Sequence, residues 1–247
     1  IISLVVFSFN SSKLVTVWSG FSTRWYGELF ANEQVLGAGL LSLQIAASSA
    51  TLALILGTLC AVALTRFRRF RGKTLLGAMV SAPLVMPDVI TGLSLLLLFV
   101  GLQELIGWPA GRGTLTIIIA HATFCMAYVT VVVQSRLSDL DISLEEAAQD
   151  LGATPARVFF DITLPIIAPA LISGWLLSFT LSLDDLVIAS FVAGPDSNTL
   201  PMVIFSKMKL GVSPDINALA SVIIGIVALG VVIATLLQLR RPAAARS

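Results

Sequence analysis

Charge is scarce in this chain. Asp, Glu, Lys and Arg make up 12% of its 247 residues, about half the roughly 25% usual in soluble domains. A single histidine, His121, excludes the usual structural zinc sets. Two cysteines, Cys60 and Cys125, both inside apolar runs, exclude a disulfide scaffold. A net charge of +1 supplies no field that would draw nucleic acid. No nucleotide-binding loop is visible either: Gly72-Lys73-Thr74 invites that reading, but the pattern needs glycine at position 67, which is Phe67. The chain opens at Ile1 inside an apolar stretch, without Met or a charged leader, so residues are expected before it.

What is present is apolar. Hydrophobic residues reach 57%, with a mean hydropathy of +0.97. A soluble domain of this size still exposes much of its surface and could not hide so much apolar side chain. The chain is therefore a membrane protein. About 20 apolar residues cross the hydrocarbon core. Charge-free windows of 32, 23 and 24 residues lie between Glu33 and Arg66, Arg112 and Arg136, and Asp215 and Arg240. Two further windows carry intramembrane acids: Asp88 between Lys73 and Glu104, and Asp184 with Asp185 between Asp161 and Asp196. These place spans over 38–65, 74–102, 114–135, 166–193 and 216–239, with 1–9 as the outer end of a truncated first helix. The expected fold is all-α and polytopic, with six transmembrane helices in the intact chain and a single domain over 1–247.

Orientation follows from the excess of Lys and Arg on cytoplasmic loops. Alternating topology puts Arg66, Arg68, Arg69, Arg71, Lys73, Arg136, Arg157, Arg240, Arg241 and Arg246 on one side. Lys13, Arg24, Arg112, Lys207 and Lys209 fall on the other. The first set is cytoplasmic. Trp18, Trp25, Tyr26 and Trp108 then lie near the outer interface, where amphipathic rings prefer to sit. The outer stretch from 194 to 214 reads as a weak amphipathic helix, with Met202, Phe205 and Met208 opposed to Lys207 and Lys209.

Residues 136–165 are the one sizeable polar segment. Ser143-Leu144-Glu145-Glu146 fits a capping box that starts a short helix. Gly152 can end it in the left-handed conformation. Thr154-Pro155 starts a second helix, with Thr as cap and Pro at the first position, and Pro165 marks the next break. Arg136 and Arg157 stand against Asp139, Asp141, Glu145, Glu146, Asp150 and Asp161, a net −4 that phosphate would repel. The loop reads either as a solvated connector or as an acidic, tethered helical hook, which suits a protein partner better than a nucleic acid.

Glu146-Ala147-Ala148, three residues, Gly152, nine residues, then Ile162-Thr163-Leu164-Pro165 resembles the EAA loop of bacterial ABC-importer permeases. The resemblance implies the type I importer fold and a short helix that docks into a separate cytoplasmic ATPase. Glu145, Glu146, Ala147, Ala148, Asp150, Leu151, Gly152 and Ala153 would then form the ATPase-coupling segment. Small alanines permit close approach, and glycine permits the sharp turn.

Asp88, Asp184 and Asp185 lie in apolar spans, where a charge costs at least about 2.5–3.5 kcal/mol. Pro83 and Pro87 each remove a backbone donor next to Asp88, leaving carbonyls beside a carboxylate, a setting suited to a cation. At about 100° per residue, Ser81, Asp88, Thr91 and Gly92 share a helix face, Asp185 shares one with Ser178 and Ser182, and Asp184 sits with Thr180. The adjacent aspartates therefore point to different surroundings: one can line a path while the other bonds a neighbouring helix. Interhelical hydrogen bonds alone remain the other reading of all three. No Lys or Arg inside a span neutralises them, which favours an external cation or a basic residue of another subunit. His121 reads as a hydrogen-bonded core residue, with a proton relay as the alternative. Tyr128 and Trp175 are packing residues or cation–π faces.

Phe9-Asn10-Ser11-Ser12, the run from Pro83 to Phe99, the run from Ser178 to Asp185 and the run from Gly211 to Ala220 look like polyamine-importer permeases, most of all the putrescine-type second permease. That resemblance implies a substrate path through Asp88, Asp184, Asp185, Ser182 and Thr91. It also implies a heterodimer with a second permease, two ATPase subunits and a periplasmic polyamine-binding protein. The chain itself would carry no cofactor and no catalysis; ATP and Mg would sit on the ATPase. A permease for another cargo and an ion-coupled secondary transporter are the alternatives. An intramembrane enzyme finds no paired nucleophile and base or metal cluster.

Overall fold

Hydrocarbon offers backbone groups no partner, so a spanning chain must be helical or close into a barrel. The computed structural model describes residues 2–12, 17–67, 70–210 and 214–225, and apart from one isolated bridge between Asn10 and Phe21 all its regular structure is helical. The helices are α1 (Ile2–Phe7), α2 (Arg24–Ala31), α3 (Glu33–Arg66), α4 (Lys73–Val85), α5 (Asp88–Ile106), α6 (Thr114–Ser138), α7 (Ser143–Asp150), α8 (Pro155–Val158), α9 (Leu164–Asp184), α10 (Val187–Val192), α11 (Leu200–Leu210) and α12 (Pro214–Gly225). A π-helical turn, Phe159–Thr163, joins α8 to α9. Four of these stretches are long and apolar enough to cross a membrane: Glu33–Arg66, Asp88–Ile106, Thr114–Ser138 and Pro155–Asp184.

Residues Ala38–Met202 form one unit. Its axis is α6, whose Ile117, Ala120, Cys125, Val129, Val133 and Leu137 are fully buried. Between membrane helices it is close packing, not exclusion of water, that drives association, so small residues belong at the seams. On α3 the buried residues Ala46, Ala50, Ala53 and Ala61 recur at helical spacing, with Gly57 in the same row. A Cβ on Gly57 would stand 2.8 Å from Val129 Cβ and 3.0 Å from the Met126 carbonyl. On the other flank α9 presents Ile167, Leu171, Gly174, Ser178 and Ser182, and Gly174 meets the same Val129. Hydroxyls lock the seams: Ser49 donates to the Ile118 carbonyl at 3.2 Å, and Thr130 to the Gly57 carbonyl at 3.3 Å.

Two expected spans are broken. The stretch 74–102 is two helices, parted at Met86–Pro87, where Met86 is extended. A residue before proline is pushed out of the helical region, whereas Pro83 is absorbed inside α4. The stretch 166–193 ends its first helix at Asp184 and resumes at Val187. Pro165, in contrast, makes no break. It falls in the first turn of α9, and the preceding π-turn carries the helix from Pro155 to Asp184.

The second unit comprises the described residues of Ile1–Gly37 and Val203–Ser247. Asn10 organises it. Its amide donates to the Val17 carbonyl at 2.7 Å and accepts from the Ser19 N–H at 2.9 Å, while its own carbonyl accepts from the Trp25 indole at 2.6 Å. Phe9 stacks between Phe21 and Tyr26. Lys207 pairs with Asp215 at 2.7 Å, and Lys209 lies over the Phe205 ring. Lys13, Arg68, Arg69, Gly211 to Ser213, Arg240, Arg241, Arg246 and most of the span expected over 216–239 lie outside the described residues.

The α3–α6 seam makes a direct prediction. Gly57→Ala gains helix propensity but must displace Val129, at an overpacking cost of about 1–3 kcal/mol, and so lowers the thermal midpoint of the detergent-solubilised protein. Gly39→Ala, whose methyl would meet nothing within 4 Å, holds or raises it.

Candidate functional site

The break between α9 and α10 brings Asp185 and His121 together. His121 is 1% exposed. Its Nδ1 shares a 2.7 Å hydrogen bond with Ser182 Oγ. Its Nε2 lies 3.2 Å from Asp185 Oδ1, close to the carboxylate but not aligned as a hydrogen bond. Asp185 Oδ1 also accepts the Ala189 N–H at 2.8 Å, so it satisfies a free donor at the start of α10. At the far end of α10 the Arg112 guanidinium donates to the Phe191 carbonyl at 3.3 Å and the Thr116 hydroxyl to the Val192 carbonyl at 2.7 Å. This six-residue helix is pinned at both ends by side chains, and it packs on α5 and α6.

The expectation that neighbouring aspartates face different surroundings is met in this geometry. Asp184 is exposed; the Asp185 side chain is 11% exposed and engaged. Ser182 is buried against His121, and Ser178 is fully buried beside Cys125, whose thiol donates to the Ser178 carbonyl.

On α5 the outcome is different. Asp88 is exposed in the first turn, where an anion complements the helix dipole. Thr91 is 8% exposed, and its hydroxyl has no partner among the described residues. Gly92 lies so close to Phe191 and Ile188 that a Cβ would stand 2.7 Å from the Phe191 ring. The face expected to join Ser81, Asp88, Thr91 and Gly92 does not exist, because the break at Pro87 interrupts the helical period between Ser81 and Asp88. Tyr128 packs edge-on against Phe124, and Trp175 stacks on Phe179 while donating to Thr51 Oγ1 at 3.1 Å. Both have packing partners.

The cytoplasmic segment folds as a hook. Ser143 is the first residue of α7 and not its cap; the expected capping box is replaced by Asp141, whose carboxylate accepts the Ser143 N–H at 3.0 Å. The Ser143 N–H and hydroxyl hold the Asp141 carboxyl below the usual carboxylate range, so its capping contribution is present at neutral pH and lost only as pH falls through that lowered value. Gly152 has φ +85° and turns the chain after α7. Thr154 caps α8 through the Arg157 N–H at 3.4 Å, with Pro155 at the first position. Glu146, Ala147, Asp150 and Leu151 face outward, Leu151 at 90% exposure, with Ala148 and Ala153 half-buried. Glu145 instead turns inward onto Arg66 and Thr163. That contact also puts the end of α3 and the hook on one side, as the charge bias requires.

Sequence reading missed three partners: His121 for Asp185, and Arg66 and Thr163 for Glu145. No short-range signal marks them, since the pairs are separated by 64, 79 and 18 positions.

A bundle of broken apolar helices around one central span, with a capped acidic hook, is the architecture of the type I ABC-importer permeases. The chain superposes on a bacterial ABC transporter involved in the import of the acidic polysaccharide alginate with a TM-score of 0.72, at 18% identity, over 98% of this chain and 89% of that one. It superposes on the MetNI methionine ABC transporter in an inward-facing conformation with a TM-score of 0.66, at 16% identity, over 81% and 92%. Residues 53–241 match the family of binding-protein-dependent transport system inner membrane components, and the chain belongs to that family. It is 67% identical to the putrescine transport system permease protein PotI of Escherichia coli K12, over 91% of this chain and 80% of that one. It is 45% identical to the spermidine/putrescine transport system permease protein PotC of the same strain, over 97% and 88%. The chain is thus a multi-pass inner-membrane transport subunit and not an enzyme.

Replacing His121 by Ala would take the hydrogen-bond partner from the buried Ser182 hydroxyl and remove the imidazole beside Asp185, which keeps the Ala189 N–H. A lost partner for buried polar groups costs about 1–3 kcal/mol, read as a lower thermal midpoint in detergent. His121→Gln, which keeps a donor, is expected to lose less.

Proposed function

We propose that this chain is the permease subunit of an ATP-driven importer that carries polyamines, putrescine first, from periplasm to cytoplasm by alternating access. Its partners are a second, similar permease, two ATPase subunits that hold ATP and Mg, and a periplasmic polyamine-binding protein. The observation that carries the cargo is the 67% identity to a putrescine permease over 91% of the chain. The chemistry agrees with it. A diamine carries two separated ammonium groups and needs separated acids, and Asp88 and Asp184 are exposed acids on two different helices. Lys and Arg are absent from the spans, so an arriving cation meets no rival charge there.

The roles of the path residues divide accordingly. Asp88 and Asp184 attract the polyamine. Asp185 and Ser182, held by His121, fix the break beside Asp184. Thr91 and Ser182 are buried and meet the substrate only as the helices part. On the cytoplasmic side Glu146, Ala147, Ala148, Asp150, Leu151, Gly152 and Ala153 present the coupling face to the ATPase. A secondary transporter would leave that hook without a task.

The test is ATP hydrolysis by the purified complex with its binding protein, with and without putrescine. Putrescine-stimulated hydrolysis supports both machine and cargo; stimulation by spermidine alone changes the cargo, and no co-purifying ATPase overturns the reading. Asp88→Asn and Asp184→Asn are each expected to lower putrescine uptake by roughly tenfold, equivalent to about 1.4 kcal/mol, in complexes that still assemble. Wild-type uptake in both would remove the carboxylate path.

A further inference from the structure

Two adjacent glutamates on α7 are treated in opposite ways. Glu146 faces outward, while Glu145 is 9% exposed. One oxygen of Glu145, Oε1, accepts from Arg66 Nε at 3.1 Å, Arg66 Nη2 at 3.0 Å and Thr163 Oγ1 at 2.8 Å. Arg66 is the last residue of α3, and Thr163 is the last of the π-turn that leads into α9. Three segments therefore meet at a single atom. The side chains of Arg66 and Glu145 are 16% and 12% exposed, so both charges have lost most of their water.

Such a pair is a poor way to gain stability. Desolvation offsets most of the attraction, and apolar residues of similar volume often serve as well or better; the best-attested use of a buried pair is to fix register or operate a switch. The π-turn points the same way. Each residue added to a helix rotates the rest of that helix by about 100°, and π-turns concentrate at functional sites. Without the extra residue Thr163 would turn away from Glu145. The contact is also not embedded in rigid core: a cleft of about 300 Å³ borders it, lined by Val62, Ile142 and Phe159 as well as the pair itself.

We propose that Glu145 is a positioning residue of the transport cycle, a strut that carries movement of the hook to α3 through Arg66 and to α9 through Thr163. This rests on the importer reading above. Docking on the exposed face of α7 displaces the hook, and the three bonds at Oε1 make the two membrane helices move with it. Glu146 and Leu151 belong to the outer face; Glu145 works from the inner one.

The experiment measures putrescine transported per ATP hydrolysed by the complete complex in proteoliposomes. Glu145→Gln is expected to keep assembly and substrate-stimulated hydrolysis while lowering that ratio by roughly five- to tenfold, the low end of typical coupling between sites. Thr163→Val, which leaves the charges paired, lowers it by a smaller factor. The exchange Arg66→Glu with Glu145→Arg restores part of the ratio, whereas either change alone does not. An unchanged ratio in Glu145→Gln, or hydrolysis and transport falling together in all variants, would overturn the strut. A wild-type complex that moves putrescine without hydrolysing ATP would instead overturn the importer reading itself.

Discussion

Every helix break inside a bilayer leaves backbone donors and acceptors that lipid cannot satisfy. That constraint decides where the unusual side chains of this protein sit. The six-residue α10 is the clearest case: at its start a carboxylate accepts the Ala189 N–H, and at its end a guanidinium and a hydroxyl serve the Phe191 and Val192 carbonyls. Asp185, Arg112 and Thr116 are there because the chain stops being helical. His121 faces the acid so introduced, and Ser182 bonds its other ring nitrogen in turn. A polar cluster inside an apolar bundle thus arises from a single interruption at Asp185–Leu186.

The same reasoning separates the two adjacent aspartates. A carboxylate that caps a helix and faces an imidazole has its partners already. Asp184, one position earlier, is exposed and has none of these ties. The helix period puts adjacent side chains about 100° apart, so one Asp-Asp step supplies a structural acid and a free one. At the cytoplasmic end Glu145 and Glu146 repeat the arrangement, one inward and one outward. Short acidic doublets serve here as pairs of unlike residues.

Most of the architecture was legible because its causes are local. The charge-free windows between Glu33 and Arg66 and between Arg112 and Arg136 hold the unbroken helices α3 and α6, and Gly152 and Thr154-Pro155 set the hook. What escaped had non-local causes. The break at Pro87 was hidden because Pro83 and Pro87 look alike in sequence, yet one is absorbed in α4 and the other ends it. Pro165 failed in the other direction, since a π-turn accommodated it. The partners of Asp185 and Glu145 come from helices far along the chain, and a lone histidine or an arginine at the end of a span gives no hint of which acid it will meet.

The distance in sequence between Arg66 and Glu145 also has a bearing on how the protein is made. The two are 79 positions apart, and at about 5–20 residues per second the glutamate emerges roughly 4–16 seconds after the arginine. Until then Arg66 lacks that carboxylate, and its charge adds to those of Arg68, Arg69, Arg71 and Lys73 in the same loop, the kind of excess that favours a cytoplasmic loop. Only when the hook emerges does the same guanidinium acquire its carboxylate. One arginine thus counts twice, first in the charge bias of its loop and then in the contact where three segments meet.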